Sequence, residues 1–354
     1  MSDETTGWTE THDVLAALSQ TFLGGTPTEL RAVSNGNHKR TTLVAFADDG
    51  DDDENDGGDS AAEIPDAVVV QFASDADAFR TETELARTVG ERTSIPVPAL
   101  YDTGELGGRA YAVVERAAGG DLHERFAALD PEARRRVARA FGRYLAELHE
   151  RFSFEGYGSV RFADVGKRRR NSDSLDRFDR FDRFRATGTD GWRRWFRAYA
   201  REGVDALPPT FDSLREELLG AFERARLPVR PPSTLYPWDL RPGNAVVDGG
   251  KLTAVLDWGD PLAAAPGLAV AKVEHLVADW YVADNDPLRR AFRAGYESVR
   301  PYPSVPRAYR LAAVVRSAVD STGAVTRPRY PELTGDDAVG FHYERLREWV
   351  GDDS

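Results

Sequence analysis

Apolar residues recur with two different periods over the first third of the chain. Val14, Leu18 and Phe22 fall on one face of a helix, whereas residues 67–72 form a short apolar run rich in Val, which is typical of a buried strand. The elements predicted in this part are helices over residues 11–22 and 76–90 and strands over residues 29–33, 41–47, 67–72, 99–103 and 109–115. Together they predict a five-stranded antiparallel sheet with one inserted helix.

From the Gly119-Gly120 pair onward the periodicity is mainly helical. Asp130 followed by Pro131 is typical of a helix start, because the carboxylate can cap the first turn and Pro fits its first position. A stripe of core residues follows at helical spacing: Phe141, Tyr144, Leu145 and Leu148. The later elements predicted are strands over residues 234–236, 245–247 and 252–256 and helices over residues 268–281, 287–296, 306–319 and 337–349. The pattern predicts an α+β chain with a sheet-bearing domain over residues 1–116 and a helical domain over residues 117–354.

An acidic low-complexity segment, residues 48–63, interrupts the predicted sheet. Clustered carboxylates can bind calcium, but this segment lacks the spaced ligands of a calcium-binding loop. We therefore interpret it as a solvated, disordered connection between two strands.

An Asp-Arg-Phe triplet repeats over residues 176–184 and follows a basic run at residues 167–170. Basic residues mixed with aromatic ones can bind nucleic acid, but here each Arg has an Asp neighbour that cancels its field. The interpretation favoured is a helix that packs Phe178, Phe181 and Phe184 along one side.

Composition narrows the classes of protein that fit. The 354 residues include no Cys, which excludes disulfides and thiolate metal sites, and a net charge of −13 disfavours binding to nucleic acid. Lys occurs only at positions 39, 167, 251 and 272, and this acidic, Lys-poor balance resembles proteins of halophilic microbes, with an ordinary acidic cytosolic protein as the alternative. Neither a signal peptide nor a run of about 18 apolar residues is evident, so we expect a cytoplasmic protein without membrane contact. We also expect a monomer or homodimer.

The strongest candidate for chemistry is a group of polar residues around the late predicted hairpin. Asp239 precedes the hairpin on a turn, Asn244 enters its first strand and Asp257 leaves its second. Closure of the hairpin allows Asn244 and Asp257 to be close neighbours. Such oxygen ligands suit Mg²⁺ together with phosphate, and a carboxylate outside the metal shell can accept a hydroxyl proton. The alternative is a hairpin with ordinary turn residues, since Asp and Asn are common in turns for local reasons.

The order of these residues, Asp, then Asn five positions later, then Asp at the next strand end, is the arrangement of protein kinases. Within the sequences YPWDLRPGN and LDWGD it resembles the aminoglycoside phosphotransferase and choline/fructosamine kinase family. The resemblance implies a two-lobed protein-kinase-like fold and an ATP- and Mg²⁺-dependent enzyme that phosphorylates a hydroxyl group, or a sugar, of a small molecule. It implies that Asp239 is the catalytic base or orients the hydroxyl, and that Asn244 and Asp257 hold Mg²⁺–ATP.

Other motifs resemble the same family along most of the chain. Glu82 matches the helix glutamate that normally pairs with a strand lysine, although a solvated helix charge is the alternative. The run VVER matches the hinge whose backbone would meet adenine, which implies Val114, Glu115 and Arg116 as nucleotide contacts. His149 ends a family-like Leu-x-x-Leu-His helix and is predicted to be structural.

Two departures from the family pattern bear on catalysis. Gln71 stands where the family has its phosphate-binding strand lysine, and a neutral side chain makes a weaker phosphate contact than a charged one. Lys39 is the candidate to supply the missing charge, with Arg40 as the alternative. Pro-Trp-Asp also replaces His-Gly-Asp, which puts the bulky Trp238 beside Asp239.

Two other functions compete with a small-molecule kinase. Loss of the strand lysine makes a pseudokinase-like nucleotide-binding or regulatory module one alternative, and a purely structural interaction protein is another. By the resemblance, residues 152–222 and the C-terminal helices should wall an acceptor pocket. Asp260 and Glu274 can meet a cationic group, with ordinary exposed acidic residues, which abound in this chain, as the alternative. Four aromatic residues of that region can stack on a substrate, but core packing is favoured: Trp192, Trp195, Phe196 and Tyr199.

Overall fold

The computed structural model describes residues 4–22, 25–33, 39–47, 64–163 and 183–350 of the chain. The chain divides into two compact units. The first unit comprises Met1–Arg87 and Pro98–Ala117, and the second comprises Thr88–Val97 and Ala118–Ser354. The predicted domain boundary between residues 116 and 117 stays a prediction.

The first unit is built on one antiparallel sheet. Its strands are β1 (Pro27–Val33), β2 (Lys39–Phe46), β3 (Ala67–Ala73), β4 (Leu100–Leu106) and β5 (Arg109–Glu115), and its helices are α1 (Glu4–Thr21) and α2 (Ala76–Arg92), of which α2 continues into the second unit. The strand order is β1-β2-β3-β5-β4, and every neighbouring pair is antiparallel. The predicted five-stranded sheet with one inserted helix is confirmed.

Helix α1 packs its apolar face on this sheet. Val14 and Leu18 are buried against Val44 of β2 and Val68 of β3. The helix begins at Glu4 rather than at residue 11, because the residues before Thr11 carry no apolar stripe that would reveal a helix in the sequence. The acidic segment at residues 48–63, predicted to be a disordered connection, lies outside the described residues.

The second unit is mainly helical and contains two small sheets. Its helices are α3 (Leu122–Arg125), α4 (Pro131–Arg151), α5 (Trp192–Ala206), α6 (Asp212–Arg224), α7 (Pro266–Glu274), α8 (Asp286–Glu297), α9 (Arg307–Val315) and α10 (Gly335–Val350). Its strands are β6 (Gly120–Asp121), β7 (Gly158–Phe162), β8 (Phe184–Ala186), β9 (Thr234–Tyr236), β10 (Ala245–Asp248), β11 (Lys251–Val255) and β12 (Leu262–Ala264). They form sheets of order β11-β10-β6 and β8-β7-β12-β9. No helix in the described ranges is long and apolar enough to cross a membrane.

The predicted start of α4 is confirmed. The Asp130 carboxylate accepts hydrogen bonds from the backbone N–H groups of Glu132 and Ala133, at 2.9 and 2.8 Å. The predicted apolar stripe along this helix is buried: Phe141, Tyr144, Leu145 and Leu148. Helix α4 is therefore fixed at its first turn by its cap and along its length by its core face.

Helices α4 and α8 approach each other closely through two glycines. A Cβ at Gly142 would lie 1.9 Å from the carbonyl oxygen of Phe292, and a Cβ at Gly295 would lie 1.9 Å from the carbonyl oxygen of Arg139. No larger residue fits at either position without moving a backbone, so the two glycines set the distance between the helices.

Two predicted helices end earlier than expected. The helix predicted over residues 268–281 is α-helical only to Glu274 and continues as a π-helical turn over His275–Asp279. In that turn the buried Asp279 accepts hydrogen bonds from His275 and from Arg289 of α8. The helix predicted over residues 306–319 ends at Val315, because the chain turns back and Val319 bridges Val325.

The prediction that the triplet repeat forms a helix is wrong for its last residue, Phe184, which the structure describes. Phe184 lies in strand β8, where its ring is buried against the rings of Phe152 and Phe162. The other two Phe residues of the repeat lie outside the described residues. Strands β6, β7, β8 and β12 and helices α3, α5 and α6 were not predicted individually.

Candidate functional site

The loop that carries Asp239 is anchored on both sides. Before it, the buried strand β9 pairs with the residues that follow α4 through a bridge between Ser153 and Thr234. After it, Leu240 is buried and the chain makes a 3₁₀ turn that ends at Asn244. The side-chain Nδ2 of Asn244 donates to the carbonyl oxygen of Asp239 at 3.0 Å. This bond closes the loop and leaves Oδ1 as the atom of Asn244 that can ligate a metal.

Hairpin closure brings Asn244 beside the end of β11, as its position in the sequence predicted. The N–H of Leu256 donates to the carbonyl oxygen of Asn244 at 2.8 Å. Asp257 follows at once with φ of 58°, a left-handed conformation that is uncommon for residues other than Gly. The next residue, Trp258, is buried and donates its indole N–H to the carbonyl oxygen of Val255 at 3.2 Å. The exposed Asp257 is thus held in a strained backbone position next to Asn244.

The donor set around this hairpin fits a magnesium ion bound together with phosphate. Asp257 supplies a carboxylate and Asn244 an amide oxygen, and Mg²⁺ in phosphate-transfer sites commonly takes one or two protein ligands and completes its shell with phosphate and water. Within the described part of the chain there is no group of three or more His, Cys, Asp or Glu residues that could hold a metal alone. The two oxygen ligands of Asp257 and Asn244 leave the rest of the metal shell to phosphate and water.

Arg241 places a cation in the same loop, and sequence reasoning missed it. Its Nη2 lies 3.3 Å from Oδ2 of Asp239. Its buried Nε has no hydrogen-bond partner among the described residues. The signal in the sequence was a basic side chain two residues after Asp239. In this position the guanidinium of Arg241 can stabilise negative charge that develops beside the carboxylate.

Trp238, the residue that departs from the family pattern, is flanked by two further cations that sequence reasoning also missed. The Nζ of Lys272 on α7 lies 3.7 Å from the centre of the Trp238 ring. The guanidinium carbon of Arg316, the residue after α9, lies 5.1 Å from the same ring. Burial lowers the pKa of Lys272 to about 7, against the opposing effect of the Asp239 charge. The signal in the sequence was a lone Lys within the apolar run that forms α7.

The aromatic residues near Trp238 are mostly core residues, as predicted. Trp192 and Phe196 are fully buried, and the hydroxyls of Tyr199 and Tyr236 lie 3.0 Å apart in the interior. Burial raises the pKa of Tyr236 well above its usual value. Both phenols are therefore neutral, and this side of Trp238 is closed by protein.

In the first unit, Lys39 and Glu82 form an ion pair with 2.5 Å between Nζ and Oε1. Lys39 is on β2 and pairs with Ala73 on β3, while Thr41 pairs with Gln71. Lys39 and Gln71 are therefore diagonal neighbours on one face of the sheet. A lysine on the adjacent strand thus reaches the helix glutamate with which the family's strand lysine normally pairs.

The predicted adenine-binding residues lie at the end of β5. The N–H of Glu115 donates to the carbonyl oxygen of Ala99 at 2.8 Å, and its carboxylate accepts from the N–H of Ala99 at 3.0 Å. Val114 and Glu115 belong to the sheet, whereas Arg116 is the first residue beyond it. Glu115 and Arg116 are exposed, whereas Val114 is half-buried.

Other candidates have structural partners or lie at the surface. Glu274 is buried and paired with Arg310 at 2.5 Å, so it is engaged within the protein. Asp260 is exposed. His149 is buried with its Nδ1 2.8 Å from the hydroxyl of Tyr296, and burial lowers its pKa to about 3. A neutral, hydrogen-bonded His149 agrees with its predicted structural role.

A model of the phosphotransferase enzyme family matches residues 56–312 of the chain. No curated protein sequence matches the chain significantly.

Solved structures share the fold. A thermostable mutant of the aminoglycoside phosphotransferase APH(4)-Ia, in ternary complex with AMP-PNP and hygromycin B, has 19% sequence identity and a TM-score of 0.58, over 97% of this chain and 99% of that one. A fructosamine-3-kinase-like protein from Haemophilus somnus 129PT has 12% identity and a TM-score of 0.55, over 95% and 96% of the two chains. At these identities the likeness concerns the fold, which is of the protein-kinase-like type.

Proposed function

Because the chain belongs to the phosphotransferase enzyme family, we propose that it transfers the γ-phosphoryl group of ATP to a hydroxyl group of a small molecule, with Mg²⁺ as the metal. The observation that carries this proposal is the position of Asn244, which contacts the backbone of Asp239 on one side and of Leu256, next to Asp257, on the other. Three side chains with the chemistry of phosphoryl transfer are thus fixed by one hydrogen-bonded loop and hairpin.

Each of these residues has a proposed role. Asn244 Oδ1 and the Asp257 carboxylate would hold the metal, which neutralises phosphate charge when bound. Asp239 orients the acceptor hydroxyl and takes up its proton as the oxygen forms the new bond to phosphorus and the bond from phosphorus to the ADP oxygen breaks. Arg241, beside Asp239, stabilises charge on the transferred group.

The nucleotide is assigned to residues of the first unit. Lys39 supplies the cation for the phosphates, because it lies on the same sheet face as Gln71 and is held by Glu82. Arg116, with Val114 and Glu115 of the adjoining strand, meets the base through backbone groups. A cytoplasmic location, adaptation to high salt and a monomeric or homodimeric state remain predictions.

The alternative function is a nucleotide-binding or regulatory module without turnover, and the neutral Gln71 is the observation that favours it. A screen of hydroxyl-bearing metabolites for ADP release, combined with thermal stabilisation by ATP with and without Mg²⁺, separates the two. For an enzyme we expect Mg²⁺-dependent stabilisation and ADP release with at least one acceptor. Stabilisation that ignores Mg²⁺, without turnover, would establish the binding module, and no response to ATP would exclude both.

Three variants sharpen this experiment. Asp239→Asn should keep the stabilisation by Mg²⁺–ATP and lose turnover by about 100-fold or more. Asp257→Asn should lose the Mg²⁺-dependent part of the stabilisation. Asp248→Asn, an exposed carboxylate in the same hairpin, is the matched control and should behave as the wild type.

A further inference from the structure

Three basic side chains lie close to the consecutive loop residues Trp238 and Asp239. Arg241 pairs with Asp239, while Lys272 and Arg316 both lie against the Trp238 ring. The charged groups that act on Lys272 are one carboxylate, that of Asp239, and the guanidinium groups of Arg316 and Arg241. The local charge is therefore positive, although the chain as a whole has a net charge of −13.

The ammonium of Lys272 and one N–H group of Arg316 are poorly satisfied by the protein. Lys272 is 2% exposed. Within the described residues its ammonium donates to the carbonyl oxygen of Arg316 over a long distance of 3.4 Å. An ammonium has three N–H donors, and a buried charge without a close counterion is costly. The Arg316 Nε is buried and has no hydrogen-bond partner among the described residues. Its Nη1 is 3.6 Å from Glu202, whose side chain is 74% exposed and therefore well screened.

The Trp238 ring itself cannot receive a cationic substrate group on the face that Lys272 occupies. A cation over an aromatic ring is attracted by the ring's quadrupole, and here Lys272 already fills that role at 3.7 Å. Arg316 lies over Trp238 and also over Tyr199, at 4.6 Å from its ring centre. An approaching amine would be repelled by Arg316 and by the protonated form of Lys272, whereas an anion would be attracted by both and would favour protonation of Lys272.

We propose that the acceptor is an alcohol that carries an anionic group, a carboxylate or a phosphate, and that Arg316 and Lys272 recognise this group. The inference rests on the proposed phosphotransferase function, since it concerns the substrate class of the same site. Arg316, whose side chain is 18% exposed, makes the direct contact. Lys272 contributes its charge from beneath Trp238, and Asp239 orients the hydroxyl.

The test uses compounds with one carbon skeleton and different charge. One set is glycerate, glycerol phosphate, glycerol and serinol, and the other is glucuronate, glucose phosphate, glucose and glucosamine. Binding is measured as thermal stabilisation of the full-length protein without ATP, and turnover as ADP release with Mg²⁺–ATP. We expect the anionic members of at least one set to stabilise the protein and to raise ADP release above the neutral and cationic members. Comparison of the carboxylate with the phosphate identifies the preferred anion.

Two substitutions test the assignment to residues. Arg316→Gln and Lys272→Met should each lower kcat/KM for the preferred anionic compound by about tenfold, the size expected for one partly screened charge contact. Arg316→Lys should restore part of the loss. Lys251→Met removes an exposed lysine elsewhere in the unit and should leave kcat/KM unchanged.

Several outcomes would overturn the inference. They are preference for a neutral or cationic member, absence of any response to the anionic members, and equal losses for neutral and anionic compounds in the two variants. Stabilisation by anionic compounds without ADP release from Mg²⁺–ATP would instead retain the anion site and exclude the proposed phosphotransfer, so the two failures are distinguishable.

Discussion

Lys39 on β2 and Glu82 on α2 are joined by an ion pair of 2.5 Å, and both side chains are largely buried. The pair links β2, the neighbour of the strand that carries Gln71, with helix α2. A lysine held in this way is fixed in position before any ligand binds. The lysine therefore loses little side-chain entropy when a phosphate contacts it.

The first prediction concerns the charge at this position. Lys39→Met should weaken ATP binding by about 10- to 100-fold, because a charge-assisted hydrogen bond is worth about 1.5–3 kcal/mol. Addition of Gln71→Lys to this variant should restore most of the affinity, since the two positions share one sheet face. Arg40→Gln is the control, because residue 40 points to the opposite face. Unchanged ATP affinity in Lys39→Met, measured by calorimetry, would contradict the assignment of Lys39 to the phosphates.

The second prediction separates backbone strain from metal binding at Asp257. Asn tolerates a left-handed backbone as well as Asp does, so Asp257→Asn should unfold at a higher temperature than Asp257→Ala without ligand. Asp257→Ala should lose about 1 kcal/mol of stability, because Ala tolerates positive φ poorly. Both variants should lose the Mg²⁺-dependent response to ATP. A full Mg²⁺ response in Asp257→Asn would contradict the role of this carboxylate.

The third prediction follows from the lowered pKa of Lys272, which is about 7 in the folded protein and near 10.5 when exposed. Below pH about 7 both states are protonated and the cost of burying the charge is fully present; between the two pKa values the unfolded state holds the extra proton, so stability rises with pH. Lys272→Met should therefore stabilise the protein by a few kcal/mol at about pH 6 and by less at about pH 9.

Urea unfolding at the two pH values measures this effect, with Lys251→Met as the control that shows no such dependence. The groups that face Lys272 are Asp239, Arg316 and Arg241. Equal stability of Lys272→Met and the wild type at the lower pH would mean that the ammonium is solvated or paired in solution.

The fourth prediction concerns the glycines between α4 and α8. Gly142→Ala should destabilise the protein by about 3 kcal/mol or more, because the new methyl group would overlap the carbonyl oxygen of Phe292. Gly340→Ala on α10 is the matched control: no atom lies within 4 Å of its Cβ position, and Ala is the better helix former by about 1 kcal/mol. Thermal unfolding would contradict the close approach of the two helices if both substitutions changed the stability in the same direction.

The parts of the fold that depend on local patterns could be read from the sequence. The hairpin between Asn244 and Asp257 is closed by neighbouring strands, so spacing alone places its two ends together. Strands β2, β3 and β5 each carry their own apolar run, whereas β1 and β4 are mostly polar and exposed. The family resemblance built on these residues is confirmed by the family model over residues 56–312. The roles assigned to the individual site residues stay predictions.

Features that depend on contacts between distant segments could not be read in this way. Lys272 and Arg316 are 44 residues apart, and only the packing of α7 beside the end of α9 brings them to Trp238. The π-helical turn at His275–Asp279 depends on Arg289 from another helix, so the apolar period alone predicted an uninterrupted helix. The position of Phe184 in β8 likewise depends on pairing with β7.

The glycine contact between α4 and α8 has a consequence for motion near the candidate catalytic carboxylate. Ser153, just after the end of α4, is bridged to Thr234 of β9, and β9 ends shortly before Asp239. A segment joined to so tightly packed a helix pair opens to solvent only when that pair separates. The amide hydrogens of Leu235 and Tyr236 should therefore exchange with solvent deuterium as slowly as those in the middle of α4, at the rate of global unfolding.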